Sequence, residues 1–370
     1  MVLYEGREPS AMQAVRFSPD GACLAGATQT DQVRWFEAAE RIAARGGWDG
    51  GIEIVDFAFS STGERLAVVG RARTANGGSS ESELTVLIAA PFGTAPIARH
   101  RLPLQVDGRM VADLFAAPTF VPPPLRSYPL LVGTVDGVVG IDPRDGAARF
   151  RLATTPDFGF VARRGLVYLP PTRTLVVAFD MHPGLWLIAY RRDARGQFRE
   201  LREFDRWGRA HHAGAALNPS GRLLAVGVQD DFYVHPAKAG VDARLGALHV
   251  YETEGLSKVA MFEVRAAIGR DFGRQDLASG DGRRVPRGGG PDSPFMYLPL
   301  ALMSNPAFLD DRRVAFGMPG GEVRLLNVET GRAEALSDGP RAPVYRLDCA
   351  PVQQRIAAGF ADGALWVWGI

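Results

Sequence analysis

Cysteine is nearly absent: Cys23 and Cys349 are the only two in 370 residues. That is too few for a disulfide framework or a thiolate metal site, and both are expected to be reduced and buried. Lysine is as scarce, with Lys238 and Lys258 alone among 42 basic residues and arginine supplying the rest. Net charge is also lacking. Against those 42 basic side chains stand 41 acidic ones, so no overall field steers the chain onto nucleic acid or anionic lipid. The longest mostly apolar stretch, Pro294 to Met303, falls far short of the roughly 18 residues a membrane helix requires. Met1 to Glu8 carries acidic residues and no apolar core, so it does not read as a signal peptide, and a cytoplasmic protein is expected. No segment of a dozen residues keeps a helical period.

What the chain has in quantity is turn residues, with 43 Gly and 26 Pro. They punctuate a repeat. An alternating apolar strand reaches a tight turn and returns as a strand of small and branched residues. Val15 to Gly21 leads into Cys23 to Gly26, and Phe57 to Gly63 leads into Leu66 to Gly70. Later copies turn at Pro170-Pro171, Asn218 to Gly221, Asp310-Asp311 and Pro351 to Gln354, and a looser one at Pro122 to Pro124. Each hairpin is followed by a third apolar strand, such as Val33 to Phe36, Leu185 to Ile188 or Leu365 to Trp368. Gly-containing turns such as Asp136-Gly137, Gly320-Gly321 and Asp362-Gly363 lead into it. A more polar fourth strand follows in most units: Ala95 to Leu104, Ala147 to Ala153, Gln197 to Phe204, Ser257 to Val264 and Arg332 to Leu336.

Repetition of four antiparallel strands in units of roughly fifty residues predicts a β-propeller. The expected fold is all-β: a single domain over residues 1–370 with seven four-stranded antiparallel blades. The last unit ends after its third strand at Ile370, and Val2-Leu3-Tyr4 is placed to supply the fourth and close the ring.

The texture of these units resembles the WD40-repeat propellers. Phe17-Ser18-Pro19-Asp20-Gly21 with Leu24-Ala25-Gly26, and Gly359 through Trp368, follow that family's pattern of Ser-Pro-Asp-Gly, Leu-Ala-Ser-Gly, Asp-Gly and Val-Arg-Leu-Trp. The family's Trp-Asp dipeptide is missing from every third strand, as is the Gly-His pair before the first. Asp31, Asp136 and Asp362 occupy the turn positions of its Asp-His-Trp hydrogen-bonded tetrad, which most blades here cannot complete. Val135 to Gly146 and Gly321 to Gly331 are similar to quinoprotein-type repeats, without the tryptophan that closes them. The resemblance implies a non-enzymatic protein-interaction scaffold with no cofactor, acting as a subunit of a hetero-complex.

Insertions point to where partners would dock. First-to-second-strand hairpins face one side of a propeller, and the remaining long loops face the other. The insertions at Arg73 to Ser82, Asp230 to Arg244 and Ala266 to Tyr297, with a shorter one at Asp205 to His211, all fall on that second side. Three of the four belong to blades five and six. Loops beyond about 12–15 residues are usually functional or disordered. Within them, Arg270, Arg274, Arg283, Arg284, Arg287, Phe295 and Tyr297, with Phe232 and Tyr233, combine guanidinium and aromatic groups suited to anchoring on another protein. Asp271, Asp276, Asp281 and Asp292 compensate the charge and disfavour nucleic acid.

A different class of function rests on histidine. Of six, His182, His211, His212 and His235 fall in the loop regions of blades four and five, with Asp230 beside them, and could meet through the fold as metal ligands or as a general base. No phosphate loop, nucleophile elbow, His-Glu-x-x-His or Cys-x-x-Cys motif is present. Trp35, Trp186, Trp366 and Trp368 in the third strands are expected to wedge between blades.

Overall fold

The repeated turns explain how the strands pair. In three blades a Ser or Asn opens the first hairpin and a Gly follows three residues later. The amides of Gly21, Gly63 and Gly221 donate to the carbonyls of Ser18, Ser60 and Asn218 at 2.8, 2.9 and 2.9 Å. The side-chain oxygen of each opening residue accepts the amide that starts the return: Cys23 on Ser18 at 2.9 Å, Arg65 on Ser60 at 3.1 Å and Leu223 on Asn218 at 2.9 Å. All three glycines have positive φ, between 68° and 74°, a region that costs a Cβ-bearing residue energy. The turn is therefore satisfied from within and fixes the register of the strands it joins.

The structure, a computed structural model, describes residues 2–7, 11–28, 32–38, 42–73, 79–103, 117–121, 130–134, 137–153, 159–181, 184–193, 197–208, 210–230, 233–234, 242–267, 296–297, 304–318, 320–336 and 339–370. Among them every regular element is a strand, and no helix is long and apolar enough to cross a membrane. The strands form seven four-stranded antiparallel sheets, the blades of a seven-bladed β-propeller. Blades one to six follow the chain; blade seven combines Val344–Ala350, Arg355–Phe360 and Ala364–Gly369 with the N-terminal strand Val2–Arg7. Tyr4 lies opposite Val367 and Arg7 opposite Ala364, which closes the ring as expected.

Hydrophobic packing follows the same circle. Each of the seven clusters of buried apolar side chains is shared by two neighbouring blades, and the last joins Met12, Val15 and Leu24 of blade one to Ala357, Leu365 and Val367 of blade seven. Trp35 is fully buried between blades one and two and donates its indole N–H to the Gly93 carbonyl at 3.1 Å. Trp368 is buried between blades six and seven, and Trp186 and Trp366 are partly buried against their clusters. Cys23 and Cys349 are buried free thiols.

Three stretches differ from expectation. Blade one has a fourth strand, Ile42–Asp49, which the sequence pattern hides because Ala43 to Arg45 face solvent and only Ile42 and Trp48 are buried. The shorter insertion expected at Asp205 to His211 is strand instead: Phe198–Gly208 ends blade four and Ala210–Leu217 starts blade five. Its polar residues suit an outer strand. Asp205 accepts from Tyr251 Oη at 2.7 Å and pairs with Lys258 at 2.6 Å, while Arg206 lies 4.2 Å over the Trp186 ring. The insertion expected from Arg73 is also shortened, because strands Leu66–Arg73 and Ser79–Ala89 extend along it.

Candidate functional site

The innermost strand of each blade lines the central channel, and irregularities in these strands decide what the channel contains. Register slips at Met12/Ala14, Ile54/Asp56, His212/Gly214 and Val344/Arg346, in blades one, two, five and seven. Such bulges re-aim side chains. Blade four has the largest. Val161 pairs with Phe179 and Leu166 with Val177, so Ala162 to Gly165 all stand opposite Ala178. Arg164 sits in this excursion with φ of 54°. A Cβ on Gly165 would come within 2.7 Å of the Ala162 carbonyl and 2.9 Å of the Ala178 carbonyl, so only glycine allows the backbone to return.

The excursion carries Arg164 across the channel. Its Nε donates to Asp56 Oδ2 of blade two at 3.3 Å, its Nη1 to the Leu347 carbonyl of blade seven at 3.0 Å, and its Nη2 to the Val15 carbonyl of blade one at 3.2 Å. One side chain thus ties four blades together. Burial and the nearby Arg16 lower its pKa to about 10, which leaves it cationic at neutral pH. Leu347 is held a second time: Asn305 Nδ2 donates to its carbonyl at 2.7 Å and its amide donates to Asn305 Oδ1 at 3.2 Å, joining blade six to the hub.

Asp348, next in the strand, accepts the Phe17 amide at 2.8 Å and lies 3.7 Å from Arg16 Nη1. Arg16 Nε donates to the Phe57 carbonyl at 3.2 Å. Burial raises the Asp348 pKa above the ordinary carboxylate range, against the pull of Arg16 and Arg164. The folded chain therefore holds this proton more tightly than the unfolded chain. Its contribution to stability is fullest below the unfolded pKa and is lost as pH rises through the folded value. The substitution Asp348→Asn keeps an oxygen for the Phe17 amide and abolishes the titration. Relative to wild type, the urea midpoint of Asp348→Asn is expected to improve as pH rises from about 4 to about 7; a constant difference across that range would contradict the assignment.

Above this charged floor the channel widens into a cavity of about 460 Å³, opening on the face of the first hairpins, among Ser18, Pro19, Ser61, Pro170 and Pro351. Its volume falls in the range of small-ligand sites. Cys349 reaches its wall, with Sγ 3.5 Å from the Ala307 carbonyl, but burial pushes this thiol well up, so it is no thiolate nucleophile at neutral pH. Burial likewise pushes Cys23 up to about 12.

The insertion face lies on the opposite side. Tyr233–Val234 from the blade-five insertion pairs antiparallel with Met296–Tyr297 from the insertion leading to blade six, Tyr233 opposite Tyr297. Two loops far apart in sequence are thereby joined by a short ladder. Arg270, Arg274, Arg283, Arg284, Arg287, Phe232 and Phe295 lie outside the described residues, as do His182 and His235. His211 and Asp230 sit in paired strands, opposite Gln229 and Ala210. His212 is buried, and its Nδ1 accepts the Gly214 amide at 3.1 Å across the bulge. Among the described residues, no group of three or more His, Cys, Asp or Glu side chains is placed to hold a metal ion.

The hub was missed at the sequence level. Asp56 and Asp348 within the first strands of their blades, and Arg163-Arg164-Gly165 interrupting Phe160 to Leu169, are the signals that could have found it. No protein-family model matches the chain, and no curated protein matches it.

Proposed function

We propose that this propeller is a non-enzymatic scaffold of WD-repeat type that docks partner proteins on its insertion face, as a cytoplasmic subunit of a larger assembly. The supporting observation is the ladder between Tyr233–Val234 and Met296–Tyr297, which makes one composite surface of the blade-five and blade-six insertions. A ring of seven blades cemented by seven apolar clusters is a rigid base, and a rigid base lowers the conformational cost of presenting loops to a partner. Arginine and aromatic residues in those insertions are the types that anchor protein interfaces.

The test is a chain in which residues 269–294 are replaced by a short Gly-Ser linker, sparing the paired strand Lys258–Ala267 and the ladder residues. It is expected to keep its strand-rich circular dichroism and melting temperature while losing the proteins that co-purify specifically with the full chain. A folded variant that recovers the same proteins in the same amounts would remove the insertion face from the proposal.

A further inference from the structure

The charges at the floor of the cavity on the first-hairpin face cancel. Arg16 faces Asp348 and Arg164 faces Asp56, so two guanidinium groups meet two carboxylates. An ion seated there would bring an uncompensated charge against buried groups that already balance. Hydrogen-bonding capacity does not cancel. Arg164 uses three of a guanidinium's five N–H donors, leaving one on Nη1 and one on Nη2 of a side chain only 2% exposed. Buried donors are costly to leave without an acceptor. Arg16 lines the same cavity, anchored through Nε on the Phe57 carbonyl and with its side chain 26% exposed. Asp348 accepts the Phe17 amide on Oδ2, while its Oδ1 stands 3.7 Å from Arg16 Nη1, beyond hydrogen-bond reach.

That gap has a width that a ligand can match. The oxygen and nitrogen of a primary amide lie about 2.2 Å apart on one planar edge, given bond lengths of about 1.23 and 1.33 Å. Hydrogen bonds of about 2.9 Å splay from such an edge onto a donor and an acceptor set somewhat wider apart. We propose that this cavity binds a small neutral primary carboxamide, its oxygen taking N–H groups from Arg16 and Arg164 and its nitrogen donating to Asp348 Oδ1. A carbonyl oxygen has two lone pairs, so it can accept from both guanidinium groups. The rest of the ligand lies toward the mouth among Pro19, Pro170 and Pro351, hairpin residues that belong to none of the inter-blade apolar clusters. The mouth is on the face away from the insertions, so a small ligand and a docked protein can occupy the two ends together.

The probe is cyclohexanecarboxamide, titrated into the full chain at about pH 8, where free carboxylates are ionised, and followed by saturation-transfer NMR. Cyclohexanecarboxylate and the N,N-dimethyl amide are titrated separately. Saturable binding of the primary amide is expected, with the other two each weaker by about tenfold, the scale of losing a hydrogen bond to a charged group. Asp348→Asn leaves the floor one positive charge in excess, so the preference should reverse and the carboxylate should bind more tightly than the amide. A purely structural role for Asp348 would instead weaken all three ligands alike. Because the comparison of ligands uses the unaltered protein, it stands even where the variant folds poorly. No saturable binding of the primary amide, equal binding of the carboxylate or of the dimethyl amide, or an unreversed preference in a folded Asp348→Asn variant would each overturn the proposal.

Discussion

Replacing Arg164 with methionine is expected to lower the unfolding free energy by about 3–5 kcal/mol, the cost of leaving one member of a buried ion pair alone. Side-chain exposures of 2% for Arg164 and 1% for Asp56 place the pair well away from solvent. The substitution strands the Asp56 carboxylate, takes the Arg164 donor from the Val15 carbonyl and leaves the Leu347 carbonyl with Asn305 alone. Adding Asp56→Asn should recover much of the loss, since neutral replacements of both partners often cost little. Gly165→Ala should act in the same direction without touching the guanidinium, because the atoms its Cβ would meet include two backbone carbonyl oxygens that cannot step aside. Urea midpoints of the single and double variants decide the matter. A loss below about 1 kcal/mol for Arg164→Met, the scale of an ordinary hydrogen bond, would show that the hub contributes little.

The second large effect concerns ring closure. Removing residues 1–7 bares the strand Ala364–Gly369 and takes away Leu3 and Tyr4, which pack at the junction of blades seven and one. Tyr4 alone meets the Phe36 ring edge-on at 5.4 Å. The truncated chain is expected to lose more than the roughly 0.5–3 kcal/mol typical of single substitutions, and to associate through its exposed edge. Thermal unfolding and size-exclusion chromatography at matched concentration would show both effects, and a peptide of residues 1–8 added in trans should reverse them. A truncated chain that melts like the parent and stays monomeric would mean that the apolar junction suffices without the strand.

Most of the architecture was legible because propeller blades repeat their local chemistry. Ser18, Ser60 and Asn218 with their glycines announce hairpins by residue type alone, and the third strands carry period-two alternation of large apolar residues. Strands with little to bury leave no such trace, which is why Ile42–Asp49 was invisible and why charged Asp205 to His211 read as loop. The channel was illegible for a different reason. Arg16, Asp56, Arg164 and Asp348 meet only through closure, and no spacing rule links Asp56 to Arg164 across 108 positions or Arg16 to Asp348 across 332. The His group faced the same limit, and His212 turned out to satisfy a backbone amide at a bulge.

The acceptors of Arg164 also set an order of events during synthesis. Val15 and Asp56 emerge from the ribosome before it, but Leu347 follows 183 residues later, within the last blade. A nascent chain of six blades would hold Arg164 with its ligand set incomplete, and contacts of such separation form late and slowly. Circular closure and a satisfied hub therefore coincide. Prematurely terminated products would carry their defect at the axis, where it weakens every sector at once.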